Sequence, residues 1–582
     1  MISRACRFVP LIVLISGLSA LVSGAAAAMA PPESERAEIV IADFEGEDYG
    51  DWKATGTAFG DRPAQGTLPG QMAVSGFRGN GLVNSFLKGD ESTGTLTSPP
   101  FRIERKHLSF LIGGGGFEGE TCMNLRVDGR VARTAAGPNL EPGGSERLRW
   151  KSWDVQDLTG KTATLEVVDR RTGGWGHINV DQIVQGDEPR QSKPARREIA
   201  ISKRYLHLPV RTGAPMLRVK LVDAGQAANR PAAILREFSI ELDEHKPEFQ
   251  VFVDMERFRG KTIAIACDEL DSEPGAAPFQ AIHQADDVPD SGHLYQEARR
   301  PRFHFTSRRG WLNDPNGLVW YDGEYHLFYQ HNPYGRNWGN MHWGHAVSKD
   351  LVRWTELPIA LYPPNFHDYA FSGSGFVDLK NTAKFVEEGE KAPLVVAFTS
   401  TGRGECIAFS TDRGRTFREP AWNPVVKHPH VGRDPKVFWH EPSRRWVMAV
   451  YDEPEQGRRV IAFHTSVDLK TWTPQGRVDN FYECPDLFEL PIDDNPAQRL
   501  WVLYAADGQY LIGNFDGRRF TVLPGASARK HRLWHGNFYA AQSYSNAPDG
   551  RRIQVGWGQG IEFPGMPFNQ QMTVPCRLTL RR

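Results

Sequence analysis

The chain has 582 residues, which is too long for one hydrophobic core and predicts several domains, most simply three. Its formal net charge of −1 gives no field that would attract a phosphate backbone or an anionic membrane, so neither is expected as a partner. A neutral ligand such as a sugar is compatible with this charge. The 57 Gly and 40 Pro residues, together with 16 Trp, 15 Tyr and 32 Phe, predict many turns and an all-β fold.

Residues 1–30 have the pattern of a secretory signal peptide. Arg4 and Arg7 form a basic start, residues 8–22 are apolar, and small residues at 25–28 suit cleavage. A membrane anchor is the alternative, but the polar, proline-containing sequence that follows favours cleavage. We therefore expect a secreted or periplasmic protein without a membrane contact once the signal is removed.

The cysteines give no framework for disulfides or zinc. Five remain after the signal, an odd number with no C-x-x-C pair, so buried single thiols are expected. We predict no cofactor. The cysteines are Cys122, Cys267, Cys406, Cys484 and Cys576.

Two β-rich units are predicted before the third and largest unit at 300–582. Residues 38–186 are rich in Gly and in alternating apolar residues, which predicts a β-sandwich. Residues 187–197 are charged and contain two prolines, so they are interpreted as a linker. A second β-rich unit then spans residues 198–270, and its function cannot be deduced from these residues.

A repeat marks the third unit. Segments such as His345–Trp354 and Phe463–Trp472 resemble each other, and their shared aspartates fall at 350, 412, 468 and 516. Separations of 62, 56 and 48 residues suit a four-stranded blade and predict a β-propeller. Residues 536–558 would supply one more blade, giving five.

Three acidic residues occupy nearly the same place in three of these repeats. Asp314 precedes its repeat aspartate by 36 residues, Asp434 by 34 and Glu483 by 33. If this place is the innermost strand, radial symmetry directs all three to one cavity. A nucleophile, a proton donor and a third carboxylate that holds sugar hydroxyls form the set that a glycosidase needs.

Each acid, taken alone, has a simpler explanation. Asp314 begins Asp-Pro-Asn-Gly, a sequence typical of turns. Arg433 and Asp434 could form an ordinary surface ion pair, and Glu483 could start a loop. Their common place in the repeat is what favours a shared site.

No metal is predicted at this site. His342 and His345 flank Trp343 in a strand-like segment, which would put them on opposite faces. In the first unit, Asp43, Glu45 and Asp181 lie near strand ends and are a weak candidate for calcium.

The third unit resembles glycoside hydrolase family 32, the β-fructosidases that include invertases, inulinases and levanases. The resemblance covers about residues 303–580 and implies a five-bladed propeller and a retaining mechanism. It rests on Trp311-Leu-Asn-Asp-Pro-Asn-Gly317, Tyr329-Gln330, Trp338-Gly-Asn-Met-His-Trp-Gly-His345, Phe371-Ser-Gly-Ser374, Arg433-Asp-Pro435 and Glu483-Cys-Pro485.

The resemblance also implies roles for individual residues. Asp314 would be the nucleophile, Glu483 the acid/base and Asp434 the stabiliser of the transition state, with Arg433 helping to keep Asp434 ionised. The fructose pocket would be lined by Asn313, Asn316, Gln330, Trp338, Phe371, Ser372, Arg433 and Trp557.

The chain departs from the family in two respects. The usual C-terminal β-sandwich is expected to be absent, because the sequence stops at Arg582. Many relatives carry an acid near the position of His535, so the rim of the pocket is expected to differ. The first unit is similar to N-terminal modules of bacterial levanase-like enzymes, and both sugar binding and a packing role stay open for it.

The leading hypothesis is an exported hydrolase that releases terminal β-fructose from fructans, with levan favoured, or from sucrose. Fructosyl transfer and non-catalytic fructan binding are the alternatives. Intact Asp314 and Glu483 argue against mere binding. The oligomeric state and the preferred chain length cannot be deduced from the sequence.

Overall fold

The computed structural model describes residues 36–140, 145–214, 216–225, 233–270, 279–455, 457–525, 529–533 and 536–582. These residues are nearly all-β, as expected, and their helical segments are short 3-10 turns at Gln156–Leu158, Glu256–Phe258, Ser291–His293 and Pro548–Gly550. Across these ranges no helix is long and apolar enough to cross a membrane. The predicted signal peptide and His535 lie outside the described residues.

The first unit consists of two antiparallel sheets that share one hydrophobic core. One sheet has the order β1-β11-β6-β9 with β3 beside β11, and the other has the order β2-β4-β10-β7-β8 with β5 beside β10. The strands are β1 (Ile39–Ala42), β2 (Lys53–Gly56), β3 (Val83–Asn84), β4 (Gly94–Thr97), β5 (Phe101–Arg102), β6 (His107–Gly114), β7 (Thr121–Val127), β8 (Arg130–Ala136), β9 (Arg149–Asp154), β10 (Thr162–Asp169) and β11 (Ile178–Gly186).

The middle unit, residues 193–285, also has two sheets around one core, with orders β12-β17-β14-β15 and β16-β13-β18. Its first strand begins at Lys193, inside the segment interpreted as a linker. Pro194 is tolerated there because β12 lies at a sheet edge, where a missing N–H costs no ladder bond. The strands are β12 (Lys193–Ala200), β13 (Tyr205–Val210), β14 (Leu217–Asp223), β15 (Ile234–Ile240), β16 (Phe249–Asp254), β17 (Thr262–Leu270) and β18 (His283–Ala285).

The third unit contains five sheets in chain order. They are β19–β22 with β37, β23–β25, β26–β29, β30–β33 with β34, and β35, β36 and β38. The strands are β19 (Gly310–Tyr321), β20 (Glu324–Asn332), β21 (His342–Ser348), β22 (Trp354–Leu361), β23 (Ala370–Val377), β24 (Leu394–Ser400), β25 (Gly404–Ser410), β26 (Val431–His440), β27 (Arg445–Glu453), β28 (Val460–Ser466), β29 (Thr473–Asp479), β30 (Asp486–Ile492), β31 (Asn495–Tyr504), β32 (Gln509–Phe515), β33 (Phe520–Val522), β34 (His531–Arg532), β35 (Tyr539–Ser543), β36 (Arg552–Trp557), β37 (Phe568–Asn569) and β38 (Cys576–Leu578).

The first strands of the five sheets lie next to one another. Strand β19 contacts β23 and β35, β23 contacts β26, and β30 contacts β35. A buried ion pair of 3.0 Å between Lys436 and Asp486 joins β26 to β30. Strand β37 pairs in parallel with the start of β19, so the end of the chain returns to the first sheet.

Glycine permits the closest of these approaches. A Cβ atom on Gly375 of β23 would lie 2.4 Å from the backbone oxygen of Gly317 in β19, a distance that no side chain allows. Gly317, at the end of Asp-Pro-Asn-Gly, and Gly375, at the end of Ser-Gly-Ser-Gly, therefore let the first strands of neighbouring sheets meet.

The repeat aspartates have a structural role. Asp350, Asp412, Asp468 and Asp516 each lie just after the third strand of their sheet. Their carboxylates accept backbone N–H groups two to four residues later, at 2.7–3.0 Å. These bonds stabilise the tight turn, which explains why an aspartate recurs there.

Candidate functional site

The predicted site residues lie where the first strands are irregular. Strands β19, β23 and β26 each have a bulge with one extra residue relative to their partner, at Asn313–Asp314, Ser372 and Asp434–Pro435, and β19 has a second bulge after Asn316. A β-bulge of this kind turns a side chain out of the regular alternation. Asp-Pro-Asn-Gly is therefore part of a bulged strand, and the interpretation as a chain-reversing turn is wrong.

Asp314 is held by its neighbours on both carboxylate oxygens. Ser372 Oγ donates to Oδ2 at 2.7 Å, and Asn313 Nδ2 donates to Oδ1 at 3.1 Å. Trp311 Nε1 in turn donates to Asn313 Oδ1 at 2.9 Å, which fixes that amide. Asp314 as a whole is partly buried.

Cys484 lies between Asp314 and Asp434. Its Sγ is 3.6 Å from Asp314 Oδ2 and 3.4 Å from Asp434 Oδ2, and its backbone N–H donates to Asp434 Oδ2 at 3.0 Å. The backbone N–H of Asp434 donates to Thr399 Oγ1 at 2.8 Å. Asp434, Glu483 and Cys484 have φ values of 67°, 34° and 42°, so strained backbone is concentrated at this point.

Glu483 has a partner on each oxygen. Arg433 donates from Nε and Nη2 to Oε2 at 3.0 and 2.8 Å, and the Tyr539 hydroxyl donates to Oε1 at 2.5 Å. Arg433 Nε lies 3.7 Å from Asp434 Oδ2, beyond hydrogen-bond distance. The guanidinium therefore hydrogen-bonds to Glu483, and its charge still lowers the pKa of Asp434, in the direction expected from the sequence.

Burial and mutual repulsion make the carboxylates hard to ionise together. Burial, and secondarily the charge of Glu483, raise the pKa of Asp314 to about 6, while the Ser372 hydrogen bond opposes this rise. The same two causes raise the pKa of Asp434, and Arg433 offsets them only in part. Asp314 and Asp434 thus both have raised pKa values, and perturbed carboxyl groups of this kind are typical of functional sites.

The other predicted pocket residues surround this centre. Asn316 is oriented with its amide oxygen 3.0 Å from Gln330 Nε2 and its nitrogen 3.2 Å from Ser372 Oγ, the orientation that satisfies both atoms. The Trp338 side chain is 53% exposed, and its ring lies 6.2 Å from that of Phe371. The Trp557 ring lies 6.1 Å from that of Trp311 and 6.3 Å from that of Tyr539.

Three residues of the site were not expected from the sequence. Cys484 was predicted only as a buried thiol, which it is, and Thr399 lies on β24, a second strand that had no motif. Tyr539 is the third. It is the paired residue directly before a one-residue bulge in the first strand of the fifth sheet, whereas Asp314 lies within the bulge of the first sheet.

Metal binding has no support in the part of the chain that the structure describes, where no group of three His, Cys, Asp or Glu side chains could hold an ion. His342 Nδ1 donates to the Asn340 carbonyl, whereas His345 Nε2 lies 3.0 Å from His326 Nδ1. In the first unit, Glu45 instead accepts backbone N–H groups of residues 80 and 81, and Asp181 accepts that of residue 78.

Comparison with known proteins shows which family this unit is similar to. Residues 304–582 match the model of the glycosyl hydrolases family 32 N-terminal domain. This part of the chain is thus similar to glycoside hydrolase family 32. The similarity agrees with the resemblance noted in the sequence motifs.

Individual relatives in family 32 cover a similar segment. Levanase from Bacillus subtilis is 43% identical over 326 residues, which are 51% of this chain and 46% of the levanase. The extracellular exo-inulinase of Aspergillus niger is 34% identical over 343 residues, 49% of this chain and 63% of the inulinase. The chain therefore spans about half to two thirds of the length of these relatives.

A solved structure is also similar. The β-fructofuranosidase of Schwanniomyces occidentalis in complex with fructosyl-erythritol has 32% sequence identity and a TM-score of 0.46. The similarity covers 50% of this chain and 61% of that structure.

Proposed function

We propose that the protein is a glycosidase that releases terminal β-D-fructose from fructans, with levan favoured over inulin and sucrose. The observation that carries this proposal is the meeting of Asp314 on β19, Asp434 on β26 and Glu483, just before β30, around Cys484. Similarity to family 32 supports the reaction class, and similarity to a levanase and an exo-inulinase supports fructan as substrate.

The proposed reaction is a double displacement with retention. Ionised Asp314 attacks C2 of the terminal fructosyl unit while Glu483 gives a proton to the departing oxygen. Asp434 accepts hydrogen bonds from fructose hydroxyls and stabilises the charged transition state. Water, activated by Glu483, then releases fructose from Asp314.

The geometry gives each supporting residue a task. Ser372 and Asn313 hold the Asp314 carboxylate in place, because each donates to a different oxygen. Arg433 and Tyr539 fix the Glu483 carboxyl group in the same way. Fixed donors of this kind cost no reorganisation during the reaction.

Further parts of the proposal concern architecture and location. We propose that the five sheets are the blades of a propeller, because their first strands contact one another. We also propose that residues 38–186 and 198–270 are accessory modules with β-sandwich folds, the first a candidate for sugar binding. Export through the signal at residues 1–30 would bring the protein to external polymers, and the extracellular inulinase supports this location.

A substrate panel tests the function. The purified protein is incubated with levan, inulin and sucrose, and free fructose and its initial anomer are measured by NMR. The expected result is release of β-fructose, with the highest rate per active site on levan. Predominant formation of fructo-oligosaccharides would identify a transferase, and binding without any release would identify a non-catalytic protein.

Replacing Ser372 by Ala should shift the acid limb of the pH profile upwards. Loss of the 2.7 Å hydrogen bond removes a contact that lowers the pKa of Asp314, so the pKa should rise by about one unit. The measurement is kcat/KM for fructose release between about pH 4 and pH 8, because kcat/KM reports the pKa values of the essential groups in the free enzyme. Ser372→Thr keeps the hydroxyl and is the control. An unshifted limb in Ser372→Ala would exclude Asp314 as the group that titrates.

A further inference from the structure

The loop that carries Trp338 is attached to the middle unit. This Trp338 loop, residues 333–341, connects β20 to β21. Asn340 Oδ1 accepts the backbone N–H of Ser239 at 2.8 Å, and Asn340 Nδ2 donates to the Ser239 carbonyl at 2.7 Å. Because Ser239 lies on β15, an edge strand, the amide of Asn340 completes backbone bonds that an edge otherwise leaves open.

A second contact joins the loop to the core of the middle unit. The ring of Tyr334 stacks on that of Phe238 with centroids 4.0 Å apart, and Tyr334 is 1% exposed. Tyr334 thus packs into a hydrophobic core whose other members belong to the middle unit. An aromatic contact of this kind adds to the free energy of burial and fixes the direction in which the loop leaves β20.

Asn332 connects these two anchors inside the loop. Its Oδ1 accepts from Tyr334 N at 3.1 Å and from Asn340 Nδ2 at 2.9 Å, and its Nδ2 donates to the Asn337 carbonyl at 2.8 Å. The bonded residue Asn337 immediately precedes Trp338. The position of Trp338 is therefore determined from both sides by groups that contact the middle unit.

A second segment near the site, around Phe366, contacts the same sheet of the middle unit. Glu237 Oε2 accepts the backbone N–H of Phe366 at 3.1 Å, and the Arg218 guanidinium lies 5.3 Å from the Phe366 ring. Residue Phe366 precedes Tyr369, whose ring lies 6.0 Å from that of Trp338. The middle unit thus supports two segments whose rings, those of Trp338 and Tyr369, both pack near Phe371, the neighbour of Ser372.

We propose that the middle unit is part of the substrate-binding apparatus: through Asn340 and Tyr334 it positions Trp338 against the bound sugar. This inference rests on the proposed function for its substrate. Asn340 and Tyr334 are positioning residues, since they act on the sugar through Trp338. A loop held in advance loses less conformational entropy when the sugar binds, so the expected benefit is in affinity.

Asn340→Asp tests the proposal, because a carboxylate cannot donate to the Ser239 carbonyl or to Asn332. We expect KM for levan oligosaccharides to rise about tenfold, corresponding to about 1.4 kcal/mol, with kcat changed by less than about twofold. Asn546→Asp is the matched control, an exposed Asn that shares positive φ and lies outside the loop. Tyr334→Phe keeps the stacked ring and should behave as the wild type, whereas Tyr334→Ala should resemble Asn340→Asp.

A double-mutant cycle separates positioning from general destabilisation. Trp338→Ala should raise KM on its own, and adding Asn340→Asp to it should change KM no further. The proposal would be overturned if the effects of Trp338→Ala and Asn340→Asp on KM multiplied in the double mutant, or if KM were unchanged in Asn340→Asp.

Failure of the proposed function can be distinguished from failure of this inference, because the wild type would then release no fructose. In that case faster hydrogen exchange of residues 333–341 in Asn340→Asp, but not in Asn546→Asp, still supports the anchoring, and equal exchange refutes it.

Discussion

Asp314→Asn is expected to lower fructose release about 10⁴-fold or more and to stabilise the protein at pH 7. The activity falls because an amide cannot form the covalent intermediate. The stability rises because the pKa of Asp314 in the folded protein, about 6, exceeds its ordinary value of 3.8. Ionisation therefore costs folding free energy as the pH rises from about 4 through 6, and this cost, about 1–3 kcal/mol at pH 7, disappears in the amide.

The measurement combines fructose release with calorimetric unfolding at pH 7 and pH 4. A higher Tm of the mutant should be found at pH 7 and should vanish at about pH 4, where the wild-type carboxyl group is protonated. Asp322→Asn is the control on the turn after the same strand, where Lys391 lowers the pKa. It should keep full activity and gain no stability. Wild-type activity in Asp314→Asn would remove this residue from the mechanism.

Glu483→Gln is expected to reduce kcat for levan and sucrose by about 10²–10⁴-fold, the usual contribution of a general acid. Glutamine has the same shape and still accepts from Arg433 or Tyr539, but it cannot donate a proton to the departing oxygen. The loss should be much smaller for fructosyl fluoride, because fluoride leaves without protonation. Comparison of both substrates therefore isolates proton transfer from binding.

Glu489→Gln is the matched control for this experiment. Glu489 lies on β30, which follows Glu483, and pairs with Arg499 outside the site. The control should retain wild-type rates on all substrates. An equal loss of activity of Glu483→Gln on sucrose and on fructosyl fluoride would contradict the assigned role. Azide, a nucleophile that needs no general base, should restore turnover of the fluoride in Glu483→Gln.

The positions of the three acids could be predicted because they follow from a local pattern. Asp314, Asp434 and Glu483 keep a nearly constant distance to the repeat aspartates, and those aspartates hold a turn at the same point of each sheet. A local turn and strand alternation are encoded by neighbouring residues. The all-β character followed from the same local signals.

The partners of these acids could not be predicted in the same way. Arg433 is adjacent to Asp434 in the sequence, yet its guanidinium bonds to Glu483, 50 residues away. Adjacency in the sequence places the backbones of Arg433 and Asp434 next to each other. The bulge at Asp434 decides the direction in which the side chains point. Tyr539 meets Glu483 only because the fifth sheet lies beside the fourth.

The all-β character, the repeat and the common place of the three acids can be read in the sequence, because each is written in residues close together or in a fixed period. The contacts of Cys484 with two carboxylates and of Asn340 with Ser239 become visible in the fold alone. Such contacts join residues 50 to 170 positions apart or depend on a single backbone irregularity. They are set by the packing of whole sheets, which no local pattern specifies.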